Sequence, residues 1–151
     1  MINLYQTLVY VHIFSAILGM GPGFFLTTIA KSAKTMTELR HAYHIRHRLH
    51  IFVMIFGTLL LITGLLLGAL NPSLFQAGWY WVSLTLYLVA LAMGPLALSP
   101  KTKLIKELLQ THEGDEIPEK YHQLAKDLFR IEYIENFIFA IIITLMILKP
   151  F

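Results

Sequence analysis

The stretch "RHRLHIFVMIFGTLLLITGLLLGALNPS", residues 46–73, decides how this chain is built. Ionisable residues stop at His50, and Ile51–Leu70 contains none. A helix of about 20 residues rises about 30 Å, the thickness of a bilayer's hydrocarbon core. Asn71-Pro72-Ser73 then signals a turn. Three more apolar blocks of similar length follow the same pattern, Leu4–Ala30, Trp79–Leu98 and Ile131–Leu148. Hydrophobic residues make up 56% of the 151-residue chain and charged residues only 14%. Soluble domains carry about a quarter. The sequence therefore predicts an all-α fold, a four-helix transmembrane bundle with spans at about 4–30, 50–70, 79–98 and 129–148. It reads as one integral membrane domain over 1–151. The first block lacks a basic leader and a small-residue cleavage site, so it reads as a span rather than a signal peptide.

Basic residues give the orientation. Lys31, Lys34, Arg40, Arg46 and Arg48 fall in the first connection; Lys101, Lys103, Lys106, Lys120 and Lys126 fall in the third. The middle connection, "NPSLFQAG" (71–78), has none. The positive-inside rule places both termini outside and the two basic loops in the cytoplasm, in an inner (cytoplasmic) membrane. Trp79, Tyr80 and Trp81 fall where an outer aromatic belt belongs. The net charge of +3 then reflects topology and contact with anionic lipids at the cytoplasmic face, not nucleic-acid binding. With no cysteine, thiolate metal sites, iron–sulfur clusters and covalent haem attachment are excluded.

Pro22 predicts a kink in the first span. Gly19, Gly21 and Gly23 leave a bare surface there, either for close helix packing or for a flat cofactor. Thr35-x-x-Glu38 matches a capping box, so a helix starting there carries His41, His44, His47 and His50 straight into the second span. The third span is expected to end near Ser99-Pro100, and "KTKLIKELLQ" (101–110) to lie as an amphipathic helix on the inner surface. Met-Gly-Pro occurs at residues 20–22 and 93–95, and "RLHIFVMIF" (48–56) aligns with "RIEYIENFI" (130–138). That pattern suggests a parallel two-helix repeat in which His50 corresponds to Glu132.

Ionisable groups in a bilayer are costly and mark function. The candidates are His12, His50, Glu132 and Glu135. Steps of three drift about 60° per step on a helix of 3.6 residues per turn, so the four histidines of 41–50 cannot share one ion. His47 and His50 with Glu132 and Glu135 could hold Zn, Mn or Fe between facing helices. The alternative is a solvated histidine collar at the lipid headgroups. His12 is expected either to bind haem b or to hydrogen-bond across helices to Ser83 or Thr85. It lies roughly 22 Å along the membrane normal from His50, too far for one haem iron to take both.

At "VYVHIFSAILGMGPGFF" (9–25) the chain resembles a bacterial family described only as predicted integral membrane proteins of unknown function. More distantly it is similar to HemJ-type protoporphyrinogen oxidases and to the membrane domain of CopD copper-resistance proteins. The resemblance rests on a His one or two turns into the first helix, followed by small residues and glycines. It implies haem binding at His12 alone; a cofactor against Gly19, Gly21 and Gly23 is the reading of the bare glycine surface itself. The chain departs from the HemJ pattern at Leu18 and Gly19, where a Trp-containing stretch is expected. It also has no Lys, Arg or His in the third span.

The function expected is haem or divalent-metal binding with a redox or metal-handling role. A small proton- or cation-coupled transporter is the alternative, with Glu132 and Glu135 as relays. An accessory subunit, paired with a second copy or a larger membrane complex, is the third reading. No nucleophile elbow or P-loop supports hydrolase or phosphotransferase chemistry.

Overall fold

The computed structural model describes residues 3–151. All regular structure among these residues is helical. Asn3 opens α1 (Leu4–Met20) with a reciprocal cap: its Oδ1 accepts from Gln6 N at 2.9 Å, and Gln6 Oε1 accepts from Asn3 N at 3.1 Å. Pro22 has no N–H to continue the ladder. The helix therefore opens into a turn at Gly21–Pro22 and restarts as α2 (Gly23–Lys31). Gly21 and Pro22 keep right-handed helical dihedrals, so the expected interruption stays within one 28-residue span, Leu4–Lys31.

Helix α3 (Met36–Leu70) starts where the capping signal put it. Thr35 Oγ1 accepts from Glu38 N at 3.2 Å; the return arm reaches one residue further back, from Lys34 N to Glu38 Oε2 at 2.7 Å. Its 35 residues span about 52 Å, so its histidine-bearing start extends beyond the hydrocarbon core. A 3-10 turn at Pro72–Gln76 leads into α4 (Gly78–Met93).

Here the expected end of the third span is corrected. The chain does not stop near Ser99-Pro100. Pro95 removes another ladder donor, and the helix widens into one π turn at Gly94–Leu98, closed by Ser99 N–H on the Gly94 carbonyl. It then continues as α5 (Ser99–Thr111). Rather than lying on the membrane, α5 buries Ile105 and Leu109 against α3 and α6 (Glu119–Leu148). Both Met-Gly-Pro copies mark a helix irregularity, as proline's missing donor requires.

Helix α1 packs along α3 and α4 along α6. One core, from Met36 and Leu39 to Tyr121 and Leu128, ties the extension at the basic end. A second, with Met20, Leu60, Tyr87, Ala90, Phe139 and Ile142, fills the middle of the bundle. Four helices are long and apolar enough to cross a membrane, and large apolar side chains such as Phe14, Phe25, Ile55 and Phe137 point outward. Apolar patches on that scale on every span match a lipid environment.

At the basic end the α5–α6 loop caps α3. Asp115 Oδ1 accepts from Thr37 N at 2.9 Å and from Thr37 Oγ1 at 2.8 Å, and Asp115 O accepts from Met36 N at 2.9 Å. The Thr37 hydroxyl and amide hold the Asp115 carboxyl below its ordinary value. A group with a lowered folded-state pKa stabilises above its ordinary pKa and loses that effect as pH falls through the folded value. The clamp should therefore loosen only below about pH 4, the unperturbed aspartate range. Hydrogen exchange at Met36 and Thr37 reads this out; Asp115→Asn should abolish the acid dependence.

Candidate functional site

Two polar centres lie inside the bundle, one in each half. At the basic end, α3 turns Leu39, Tyr43 and Arg46 onto one buried face at steps of four and three. Arg46 is 7% exposed and Glu132 of α6 is 4%. Arg46 Nη2 donates to Glu132 Oε1, and Nη1 donates to the Leu26 carbonyl. Thr27 Oγ1 donates to Glu132 Oε2 at 2.6 Å. The guanidinium also sits 5.0 Å from the Tyr43 ring centre, which meets Tyr121 edge-on at 6.2 Å. The hydroxyls of Tyr43 and Tyr121 are buried without a hydrogen-bond partner among the described residues. One turn along α6, Glu135 is half-buried on the side of Tyr87, and Asn136 Nδ2 donates to the Gly23 carbonyl at 3.3 Å.

The second centre is His12. Its Nδ1 lies 2.9 Å from Thr63 Oγ1. The Thr63 hydroxyl has one proton and points it at the α3 backbone, with Leu59 O at 2.8 Å and Leu60 O at 3.1 Å. That leaves the hydroxyl only an acceptor role toward the ring. That arrangement fits the tautomer with its proton on Nδ1 and a lone pair on Nε2. The Cε1–Nδ1 edge of the ring meets Gly64, where a Cβ would stand 3.1 Å from His12 Cε1 and 3.8 Å from Nδ1. Tyr80 Oη of α4 donates to the Gly64 carbonyl at 3.1 Å and backs this wall. The expected cross-helix bond of His12 thus exists, but its partner is Thr63 on the second span, not Ser83 or Thr85. Ser83 is instead buried with its hydroxyl unpartnered among the described residues.

Between the centres the helices touch backbone to backbone. A Cβ on Gly19 would lie 2.9 Å from Gly57 N and 3.1 Å from Phe56 C. One on Gly21 would meet the Ile17 carbonyl oxygen at 2.3 Å, and one on Gly23 the Asn136 side chain at 3.3 Å. Protein atoms therefore lie against all three glycines. The centres are about 25 Å apart, counting the 17-residue rise from Arg46 to Thr63 along α3.

His41, His44, His47 and His50 are all exposed along α3, spread around it by the 60° drift, while Glu132 is engaged inside the bundle with Arg46 and Thr27. No group of three or more His, Asp or Glu among the described residues stands close enough to hold a metal. Aligning Arg48 with Arg130 puts His50 level with Glu132; the fold brings Arg46 there instead. Arg46 was the missed residue, and a signal existed. It continues the apolar stripe Met36-Leu39-Tyr43 at helical spacing, where a charge must find a partner.

Four apolar helices around buried polar groups define a multi-pass integral membrane protein. Residues 6–150 match the sequence pattern of a family described as "Predicted integral membrane protein (DUF2269)", and the chain belongs to that family. No curated protein and no solved structure matches it.

Proposed function

We propose that this protein is a haem-binding redox protein of the inner membrane, with both termini outside and His12 Nε2 as the iron ligand. The single observation that carries this reading is the 2.9 Å contact between His12 Nδ1 and Thr63 Oγ1. Metal-binding imidazoles are oriented by a hydrogen bond from the other ring nitrogen, and Thr63 provides that bond. Gly64 makes room for the ring, and an imidazole nitrogen is a common axial ligand to haem iron. A haem b group would supply one-electron chemistry. The chain's own residues fix the ring, exclude water through the surrounding apolar side chains, and keep Nε2 unprotonated.

The protein purified from a haem-supplied host should show a Soret band. His12→Ala should abolish it, and His50→Ala, roughly 20 Å away along the helix axes, should leave it intact. Thr63→Val should weaken haem retention by about 10–100-fold, the usual effect of losing the partner of a ligating histidine. Retention of the band in His12→Ala would defeat the proposal. A colourless protein with stoichiometric Zn, Mn or Fe, lost in His50→Ala and Glu132→Gln, would select the divalent site at His47, His50, Glu132 and Glu135 instead.

A second reading is a proton- or cation-coupled carrier. It is favoured by the position of Glu135, half-buried next to a fixed ion pair and close to the α1–α2 turn. An isolated carboxylate is expensive in a membrane, so Glu135 has the most to gain from a proton or a cation. Proton uptake by proteoliposomes that Glu135→Gln abolishes and His12→Ala spares would select it.

A further inference from the structure

A groove of about 1000 Å³ runs along the outside of α6 where α2 ends, and its two ends differ in chemistry. Two rows of α6 side chains form its floor, each at steps of four. One row carries the cations Lys126 and Arg130 with His122 one turn before them; the other is aromatic, with Phe129, Tyr133 and Phe137. Lys31 at the end of α2 closes the opposite wall. Its ammonium lies 5.5 Å from the Phe129 ring centre and 5.2 Å from that of Tyr133, and it donates to Tyr133 Oη at 2.9 Å. No carboxylate lines the groove. The ion pairs among the described residues, Arg46–Glu132 and Lys101–Asp127, use none of these cations. From Arg130 onward the floor enters the apolar part of α6 and ends at Phe137, about 10 Å further along the helix.

We propose that this groove binds one anionic glycerophospholipid, with its phosphate on Lys126, Arg130 and Lys31 and an acyl chain along Tyr133 and Phe137. Charge complementarity selects the headgroup: a choline headgroup would bring its own cation against Lys126 and Arg130. The apolar half argues against a detached phosphate, which would leave Phe137 without a role. The floor passes from Lys126 and Arg130 to Tyr133 and Phe137 along one apolar helix, so the occupant that matches both halves is one that joins an anionic group to an apolar chain.

The test uses the full-length chain in neutral-detergent micelles. Phosphatidylglycerol, phosphatidylcholine and inorganic phosphate are added separately, and binding is read by native mass spectrometry and by thermal melting. One phosphatidylglycerol per chain should stay bound and raise Tm, while phosphatidylcholine and inorganic phosphate do neither. K126Q/R130Q should weaken phosphatidylglycerol binding at least tenfold. K103Q/K106Q, which removes the same charge from exposed positions outside the groove, should leave binding unchanged. Phe137→Ala should weaken the lipid and leave any phosphate response unaltered. Equal loss in the two double variants would mean diffuse attraction to a basic surface and would overturn the site. So would undiminished binding in K126Q/R130Q. Stabilisation by inorganic phosphate equal to that by lipid, with no effect of Phe137→Ala, would identify a free anion as the ligand and overturn the lipid. Lys126 and Arg130 are exposed, so the lipid-free variants should melt as the parent does; if the double variant misfolds, Lys126→Gln and Arg130→Gln are read singly.

Discussion

Arg46→Met should destabilise the bundle by about 3–5 kcal/mol, because it leaves the Glu132 carboxylate buried without its counter-charge. Glu132→Leu should do similar damage from the other side, stranding the guanidinium among Leu26, Tyr43 and Thr27. The double variant R46M/E132L should recover most of the loss, since replacing both partners by apolar groups of similar volume is often neutral or stabilising. Thr27 would lose its acceptor at 2.6 Å, leaving a residual deficit of about 1 kcal/mol. Unfolding in mixed micelles, followed by tryptophan fluorescence, measures all three. A double variant as unstable as the singles would show that the pair does more than neutralise itself. That outcome would point to the unpartnered Tyr43 and Tyr121 hydroxyls beside it as parts of a working site.

The second large effect belongs to Gly19. Its missing Cβ would stand 2.9 Å from the Gly57 amide nitrogen, and no rotamer of a neighbour can relieve a clash with backbone. Gly19→Val must push α1 off α3. Overpacking usually costs about 1–3 kcal/mol, and here the backbones themselves must part, so the upper end is expected. The separation would also pull His12 away from Thr63, because the two lie on the same pair of helices. Gly94→Ala is the matched control. Nothing lies within 4 Å of a Cβ there, and the backbone is right-handed helical, so the variant should melt at or slightly above the parent temperature. Equal tolerance of both substitutions would mean that α1 and α3 do not cross at Gly19 and Gly57.

The membrane class and the four spans were legible because a bilayer imposes its thickness directly on the chain. A run of about 20 apolar residues has few other uses, and Ile51–Leu70 lies within one continuous helix as read. The start of α3 was legible for a local reason as well: a cap is settled by residues three apart, Thr35 and Glu38. Both Met-Gly-Pro sites could be located because proline always lacks a donor. What the backbone does about the gap depends on its neighbours. The first site passes through a two-residue turn with helical dihedrals, while the second absorbs the defect in a π turn, with α5 held against α3 and α6 through Ile105 and Leu109.

Partner choice was not legible. His12 was expected to reach the third span and reaches the second; His50 was expected level with Glu132, and Arg46 is there. Each error comes from helix rotation and stagger, which a span's composition does not contain. A rotation of about 100° per residue turns a side chain from lipid to interior. In a bilayer the hydrophobic effect cannot choose the inward face, since lipid and core are equally apolar. The choice falls to close contacts such as Gly19 on Gly57 and to the few polar groups that need one another. The amino-acid sequence alone determined that this protein has four helices long and apolar enough to cross a membrane, that the second starts at the Thr35 cap, and where two of them are interrupted. Only tertiary structure decided which side chains meet inside, because that depends on contacts between helices far apart in the chain.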